Sequence, residues 1–225
     1  TSSTYTYLIA SGPGREALII DPVKEHTASY IGLVNQLDLK LIRAIDTHTH
    51  ADHVTALGDL RAQTGCTTIM GEYTQAECVS EHVKEDDVID VDGICLKAIY
   101  TPGHTDESFS FHLQEPGREA LFTGDVLLIR GSGRTDFQGG DPHKSYDSIV
   151  NKLFTLPDQT LIYPAHDYKG MSCSSISEER RHNPRLAGKT EAEYVEIMKN
   201  LNLPNPKMMD VAVPANLVCG QVAAG

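Results

Sequence analysis

Between Asp46 and His53 the sequence reads DTHTHADH, which places three histidines and two aspartates in eight residues. This density favours a metal site over a packing role, because three converging histidines would repel one another whenever they are protonated. Zinc, iron, nickel and manganese all accept imidazole and carboxylate ligands, and no cysteine at ligand spacing points to a thiolate site. The chemistry expected of such a site is hydrolysis of a bond or activation of oxygen.

Three later segments add ligand-type residues, namely TPGHT, TGD and YPAHD. With the first cluster they give seven candidate ligands: His48, His50, Asp52, His53, His104, Asp125 and His166. Seven exceeds the roughly four to six positions that one ion fills, so either two ions bind or some groups support one ion through hydrogen bonds. Asp52 has an alternative role as the N-cap of a following helix.

These residues must be positioned by strand ends. Apolar and alternating runs predict strands over 4–10, 16–22, 39–46, 66–70, 94–101, 108–113, 120–125 and 160–166. Helical spacing predicts helices over 26–37, 53–65, 144–156 and 191–202, with Gly65 as a helix stop. Strands interspersed with helices predict one layered α/β or α+β domain over 1–225. The candidate ligands follow four of the strands, in loops of the kind that usually carry a site.

Composition excludes several classes of partner. The chain has 225 residues and a net charge of −12, which argues against nucleic acid or an anionic membrane. No apolar run approaches the roughly 20 residues of a membrane span, and the first residues lack the pattern of a secretory signal. The acidic segment 81–92 is expected to be a solvated loop or edge.

The five cysteines are expected to be free thiols in a reducing compartment. Their number is odd and no C-x-x-C occurs, so neither a disulfide framework nor a zinc finger is indicated. Cys66 and Cys95 lie in apolar surroundings and are predicted to be buried. No targeting segment is visible, so a cytoplasmic location is expected for a bacterial protein and the mitochondrial matrix for a eukaryotic one.

The order HTHADH, TPGHT, TGD and YPAHD resembles the metallo-β-lactamase fold superfamily. This resemblance implies a four-layer αββα sandwich with the metal at one edge of its two sheets. Further segments resemble the persulfide dioxygenases, also called the ethylmalonic encephalopathy protein family, and this second resemblance extends over almost the whole chain. They are LIRGSGRTDFQGGD at 128–141, LFTLPDQTLIYPAHDYKG at 153–170, EERRHNPRL at 178–186 and MDVAVPANLVCG at 209–220.

This resemblance implies an oxidoreductase of sulfide catabolism that oxidises glutathione persulfide with O2 and water to glutathione and sulfite. The centre would be one mononuclear non-haem Fe(II) per chain, held by His48, His104 and Asp125. Two histidines and one carboxylate are the set expected for Fe(II) with open positions. The remaining four residues would be ligands only if a second metal bound, and otherwise would support the centre by hydrogen bonds: His50, Asp52, His53 and His166.

Substrate contacts are also implied by the resemblance. Glutathione persulfide carries two carboxylates in its tail, and Arg134 and Arg185 match the family's substrate-side positions. Tyr168, two residues after His166, would hydrogen-bond the bound sulfur. The glycines of RGSGR are expected to let this loop fold tightly near the site. Ser132 stands where some members carry cysteine, so a redox role for that position is not available here.

Two other functions stay open at this stage. A two-metal thioester hydrolase similar to glyoxalase II would use all seven candidate ligands, but the part after His166 does not resemble an added helical substrate domain. A sulfur-handling carrier without turnover would show broken ligand positions, and none is broken. The oligomeric state is not specified by the sequence, and a homodimer is one option.

Overall fold

The computed structural model describes residues 3–115 and 117–221 of the chain. The strands are β1 Tyr7–Ala10, β2 Glu16–Ile20, β3 Lys40–Ile45, β4 Thr67–Gly71, β5 Glu81–Val83, β6 Val88–Val91, β7 Ile94–Tyr100, β8 Phe109–Glu115, β9 Arg118–Gly124, β10 Leu127–Leu128, β11 Gly131–Ser132, β12 Leu161–Pro164 and β13 Ser174–Ser175. The α-helices are α1 Thr27–Gln36, α2 Leu57–Thr64, α3 Pro142–Asp147, α4 Ile176–His182, α5 Glu191–Lys199 and α6 Met209–Asn216.

Two sheets form the centre of the molecule. The first has five strands in the order β1-β2-β3-β4-β5, and the second has six in the order β13-β12-β9-β8-β7-β6. In the first sheet β2, β3, β4 and β5 pair in parallel, and β1 is antiparallel to β2. In the second sheet β12 is parallel to β9, while the remaining pairs are antiparallel.

Alternation along the strands produces four layers. In β2 the side chains of Leu18 and Ile20 point into a core that both sheets share, where Phe111 and Phe122 of the second sheet meet them. Ile19 points the other way, into a core formed with α1 and α2. Successive side chains of a strand face opposite sides of a sheet, and both sides are apolar here. The predicted αββα sandwich is therefore confirmed.

The second sheet carries the other helical layer. Its outward residues Leu121 and Ile162 pack with Ile149, Ile176 and Tyr194, which lie on or beside α3, α4 and α5. All eight predicted strands and all four predicted helical segments are found, with changed bounds. The strand predicted over 4–10 begins at Tyr7, and Thr4 forms an isolated bridge with His166 instead.

The helix predicted over 53–65 begins later than expected. It starts at Leu57 with Ala56 as N-cap, so Asp52 does not cap it. Residues 47–53 form a loop without regular structure, because their polar side chains turn towards the candidate metal site. The predicted stop is confirmed, since Gly65 adopts a left-handed conformation with φ 73°.

Elsewhere the prediction was incomplete. The segment 144–156 is α3 followed by a π-helical turn, Ser148–Lys152, and a 3-10 turn, Leu153–Thr155. The acidic segment contains β5 and β6, each at an edge of its sheet, which agrees with the expected solvated edge. Helices α4 and α6 were not predicted, and α6 contains Pro214 in its interior. In the described parts of the chain, no helix combines the length and apolar composition that a membrane span requires.

The expectation that all cysteines are free is wrong. Cys78 and Cys219 form a disulfide that joins positions 141 residues apart. The pair could not be inferred from spacing, because the fold brings together the loop after β4 and the turn after α6. Cys66 is buried as predicted, whereas Cys95 on β7 is only half-buried, with its thiol directed to Asp90 on the neighbouring edge strand β6.

Candidate metal centre

Four strand ends meet at one edge of the sandwich. The strands β7, β9 and β12 of the second sheet run in the same direction, so the residues that follow them emerge on the same side. They deliver His104, Asp125 and His166, while the loop after β3 of the first sheet delivers His48. The recurrence of ligand-type residues at strand ends therefore reflects one site.

Three of these residues form a compact group. His48, His104 and Asp125 each offer one ligand atom, and these atoms all lie within 4.8 Å of one another. The imidazole Nε2 of His104 is 3.7 Å from Oδ2 of Asp125, and the rings of His48 and His104 are 4.9 Å apart between centroids. This trio comprises the three residues that the resemblance to the persulfide dioxygenases implies as ligands of one ion.

Hydrogen bonds fix which nitrogen of each histidine faces the site. Nδ1 of His48 lies 3.0 Å from the hydroxyl of Thr47, which itself donates to Asp21. A hydroxyl with its proton committed to Asp21 accepts from His48, so Nδ1 carries the proton. Nδ1 of His104 donates to the carbonyl oxygen of Arg134 at 2.7 Å. In both rings Nε2 keeps its lone pair for a ligand.

Close backbone approach makes this arrangement dependent on glycine. A Cβ added to Gly133 would lie 2.1 Å from the carbonyl oxygen of Asp125 and 2.8 Å from Nδ1 of His104. Gly124, directly before Asp125, has φ +51°, and its Cβ would meet the hydroxyl of Thr47 at 2.5 Å. The expectation that the glycines of RGSGR allow a tight loop is confirmed at Gly133.

The other four candidate ligands lie beside this group. His50 donates from Nε2 to Asp21 over 3.1 Å. Oδ2 of Asp52 is 3.2 Å from Nδ1 of His53 and 3.5 Å from Nε2 of His166. One ligand atom each from His50, Asp52 and His53 forms a second group within 4.8 Å. The seven predicted residues therefore converge.

Charges and burial set the protonation of these groups. Burial lowers the pKa of His48 well below its usual value, and the neighbouring His50 and His104 lower it further. Burial also lowers the pKa of His50 well below its usual value. Burial would lower the pKa of His166 too, but Asp125 and Asp52 outweigh it and raise the pKa to about 10. Neutral His48 and His50 are the forms a metal requires.

Both groups, the trio with Asp125 and the second group with His50 and His53, contain buried polar atoms that fit a metal ion. Oδ1 of Asp125, Nδ1 of His50 and Nε2 of His53 are buried and have no hydrogen-bond partner among the described residues. Buried polar atoms are rarely left unpaired, and a bound cation satisfies such acceptors. The donor set of imidazole nitrogen and carboxylate oxygen suits a first-row transition metal.

A cavity of about 560 Å³ opens over the trio. Its walls come from the loop 128–137, the segment 166–169 and the extended segment 203–207. Arg134 lines the cavity, but its guanidinium is paired with Asp136 at 2.6 Å and donates to the carbonyl oxygen of Pro204 at 2.7 Å. Arg134 thus holds the wall of the cavity together, and most of its donors are used within the protein.

Arg185 differs from Arg134 in this respect. It lines the same cavity and donates to the backbone carbonyl of Ser132, and no carboxylate pairs with it among the described residues. Burial lowers the pKa of its guanidinium. A half-buried arginine without an anionic partner is suited to receive one from a ligand. Tyr168 also reaches the cavity, with its ring stacked on that of His166 at 5.9 Å.

The hydroxyl of Ser132 takes part in a buried network of hydroxyl groups. Its hydroxyl is 2.9 Å from that of Tyr194, which contacts the hydroxyl of Ser145 at 2.8 Å. Both Ser132 and Tyr194 are buried. Ser132 therefore connects the loop of the cavity to α5.

Several residues that support the site were not predicted from the sequence. Asp21, which receives hydrogen bonds from Thr47 and His50, follows β2 directly, and the strand-end signal used for the ligands would have identified it. Backbone oxygens of Ser3 and Arg134, which hold His166 and His104, leave no signal in side-chain type.

Known proteins are similar to this chain in fold and in sequence. The family model of the metallo-beta-lactamase superfamily matches residues 1–166. The persulfide dioxygenases ETHE1 of Mus musculus and Homo sapiens, both named mitochondrial, are 46% identical over 220 residues, which cover 97% of this chain and 85% of each relative. The crystal structure of ETHE1 from Myxococcus xanthus has 51% identity and a TM-score of 0.93, over 98% of this chain and 96% of that one.

A metallo-beta-lactamase from Staphylococcus aureus has 23% identity and a TM-score of 0.85, over 100% of this chain and 75% of that one, and shows the fold alone. The chain belongs to the metallo-β-lactamase superfamily, and its His/Asp cluster is a metal-binding site of that class. Within this superfamily, it belongs to the persulfide dioxygenase family.

Proposed function

We propose that this chain is a persulfide dioxygenase: it oxidises glutathione persulfide with O2 and water to glutathione and sulfite, in sulfide catabolism. The outer sulfur of the persulfide receives two oxygen atoms from O2 and one from water, and the S–S bond breaks to leave glutathione. The observation that carries this proposal is the trio of His48, His104 and Asp125, whose ligand atoms lie within 4.8 Å at the floor of a cavity. The family of the relatives supports it.

The metal of this proposal is Fe(II), one ion per chain. Two imidazoles and one carboxylate are the facial set of non-haem iron oxygenases, which leaves other positions open. Bound Fe(II) would supply the redox-active centre that O2 requires for reaction with the outer sulfur of the persulfide. Thr47 and the carbonyl oxygen of Arg134 keep Nε2 of the two histidines free for the metal. His50 is hydrogen-bonded to Asp21 and His53 to Asp52, and these contacts hold the surroundings of the ligands in place.

Arg185 is the proposed anchor for a carboxylate of the glutathione tail. Its guanidinium faces the cavity without a carboxylate partner among the described residues, so a substrate carboxylate meets no internal competitor. Tyr168 lines the same cavity with its ring stacked on that of His166, and it is the proposed contact of the persulfide end. Arg134 supports the segment that forms one wall of the substrate cavity. One N–H donor of its guanidinium is left for a ligand.

Oxygen uptake tests this function. Protein reconstituted with Fe(II) is expected to consume O2 on addition of glutathione persulfide and to release sulfite and glutathione in equal amounts. Absence of uptake from iron-loaded protein would overturn the proposal. Hydrolysis of a glutathione thioester with two metal ions per chain would instead support the glyoxalase II-like alternative, which the relatives do not favour.

The same proposal covers partners and location. Glutathione persulfide and O2 are the proposed partners, with neither nucleic acid nor membrane, since the net charge of −12 disfavours both. We place the protein in the cytoplasm of a bacterium or the mitochondrial matrix of a eukaryote. Size-exclusion chromatography with light scattering tests the homodimer.

A further inference from the structure

The C-terminal helix α6 and the turn after it lie against the loop that carries His48. They sit on the helical layer of the first sheet, where Cys219 is part of the apolar core that α1 and α2 share. Among these apolar residues Asn216 is an exception, because its polar side chain is 3% exposed. A buried amide must find partners, and its partners show what it does.

Among the described residues, the hydrogen bonds of the Asn216 side chain go to the metal-site loop. Its Nδ2 donates to the carbonyl oxygen of His50 at 2.8 Å and to that of His53 at 2.9 Å. Its Oδ1 accepts from the backbone N–H of Thr55 at 2.8 Å. The loop has no regular structure of its own over these residues, so one amide supplies partners that a helix or sheet would otherwise give.

Neighbouring backbone groups strengthen the same contact. The N–H of Gly58 donates to the carbonyl oxygen of Cys219 at 3.0 Å. Gly220 has φ +73°, and a Cβ there would lie 2.2 Å from the carbonyl oxygen of Thr55. The disulfide between Cys78 and Cys219 fastens this turn to the first sheet. The C-terminal segment therefore touches the loop at several points within a few residues.

We propose that Asn216 is a positioning residue of the metal centre, which fixes the backbone of residues 50–55 and thereby the placement of His48. This rests on the proposed metal centre. The role is specific to the amide group: its two donors and one acceptor match two carbonyl groups and one N–H. The segment MDVAVPANLVCG thus contributes to metal binding although it contains no ligand.

Two variants distinguish the hydrogen bonds of the Asn216 amide from the volume of its side chain. Asn216→Asp keeps the shape and the acceptor for Thr55, but directs an oxygen at the carbonyl groups of His50 and His53. Asn216→Ala removes all three bonds. The probe is Co(II), titrated into metal-free full-length protein with a competing chelator, and its visible spectrum reports the ligand geometry. Both variants are expected to bind Co(II) about 10–100-fold more weakly than the wild type, with altered absorption bands.

Thr68→Val is the matched control. Thr68 is fully buried in β4, and its hydroxyl contacts Ser80 at 3.1 Å and Arg61, neither of which belongs to residues 50–55. This variant is expected to lower stability but to keep the affinity and spectrum of the wild type. An unchanged affinity in Asn216→Asp would overturn the role of Asn216 alone. A wild type that binds no Co(II) would overturn the metal centre itself, and the positioning role with it.

Hydrogen exchange of the wild-type protein is an independent measurement if the variants fail to fold. Because Asn216 couples the two segments, Co(II) is expected to slow amide exchange in residues 212–220 as well as in residues 50–55. Slower exchange confined to 50–55 would contradict the coupling.

Discussion

The histidines of the centre are distinguished by what their second nitrogen contacts. Nδ1 of His48 and His104 is committed to Thr47 and to the carbonyl oxygen of Arg134, so Nε2 of each is the ligand atom. His50 is bound the other way round, through Nε2 to Asp21, and its Nδ1 is buried without a partner among the described residues. Neighbouring histidines of one short segment therefore present different ring atoms, and their roles should separate on substitution.

His48→Ala and His53→Ala test this separation. Loss of His48 is expected to abolish iron binding and activity, because the trio retains two ligands. Loss of His53 is expected to leave most of the iron in place. Metal analysis of both purified variants after identical loading with Fe(II) measures the difference. Equal loss from both would contradict the single-ion assignment.

Arg185→Gln tests the substrate anchor. A charge-assisted hydrogen bond contributes about 1.5–3 kcal/mol, so KM for glutathione persulfide is expected to rise about 10- to 100-fold while kcat changes little. Arg181→Gln is the control, since Arg181 is an exposed arginine of α4. Steady-state oxygen uptake measures both. Equal KM values for Arg185→Gln and the wild type would contradict the anchor.

At the scale of elements, the loops that follow strands supply the candidate ligands and support them. The loop 128–137 supports His104 through the carbonyl oxygen of Arg134 and approaches Asp125 so closely that Gly133 has no room for a side chain. Gly131 in the same loop is different. A Cβ added to Gly131 would have its nearest neighbour, Cβ of Leu128, at 3.9 Å, which is an ordinary van der Waals contact.

Gly133→Ala and Gly131→Ala form a matched pair. The first is expected to lower stability by about 1–3 kcal/mol and to weaken metal binding, because the loop must move away from His104. The second is expected to change neither. Urea unfolding of the metal-free proteins and Co(II) titration measure these effects. A Gly133→Ala variant with wild-type metal affinity would show that the loop does not support the centre.

Much of this arrangement could be predicted from the sequence. The strand ends before His48, His104, Asp125 and His166 were visible because apolar runs stop at ligand-type residues. The contact of Asn216 with the loop could not be predicted, since a lone asparagine in an apolar segment has no local pattern. The start of α2 was placed too early because periodicity cannot show that the backbone of residues 54–56 bonds the segment after β2 and Asn216 instead of a helical turn.

At the scale of the molecule, the sandwich is stabilised by its apolar cores and by the disulfide between Cys78 and Cys219. Phe109 and Phe111 of the second sheet are fully buried against the first sheet. The disulfide joins the first sheet to the C-terminal segment. A single domain over 1–225 stays a prediction.

Cys78→Ser tests the covalent link. This disulfide joins positions 141 residues apart and is expected to contribute about 2–5 kcal/mol to the free energy of unfolding. Cys173→Ser is the control, because Cys173 is free and exposed. Urea unfolding without reductant measures both. Wild-type stability in Cys78→Ser would contradict the contribution of the disulfide.

The extended segment 203–207 has a consequence for protein engineering. It forms one wall of the cavity, contains no candidate ligand and is held by the guanidinium of Arg134 at Leu203 and Pro204. Its side chains can be exchanged without altering a metal ligand. Substitutions confined to this segment are therefore expected to change which low-molecular-weight thiol the protein accepts. Iron loading is expected to stay the same, so variants can be compared at equal iron content.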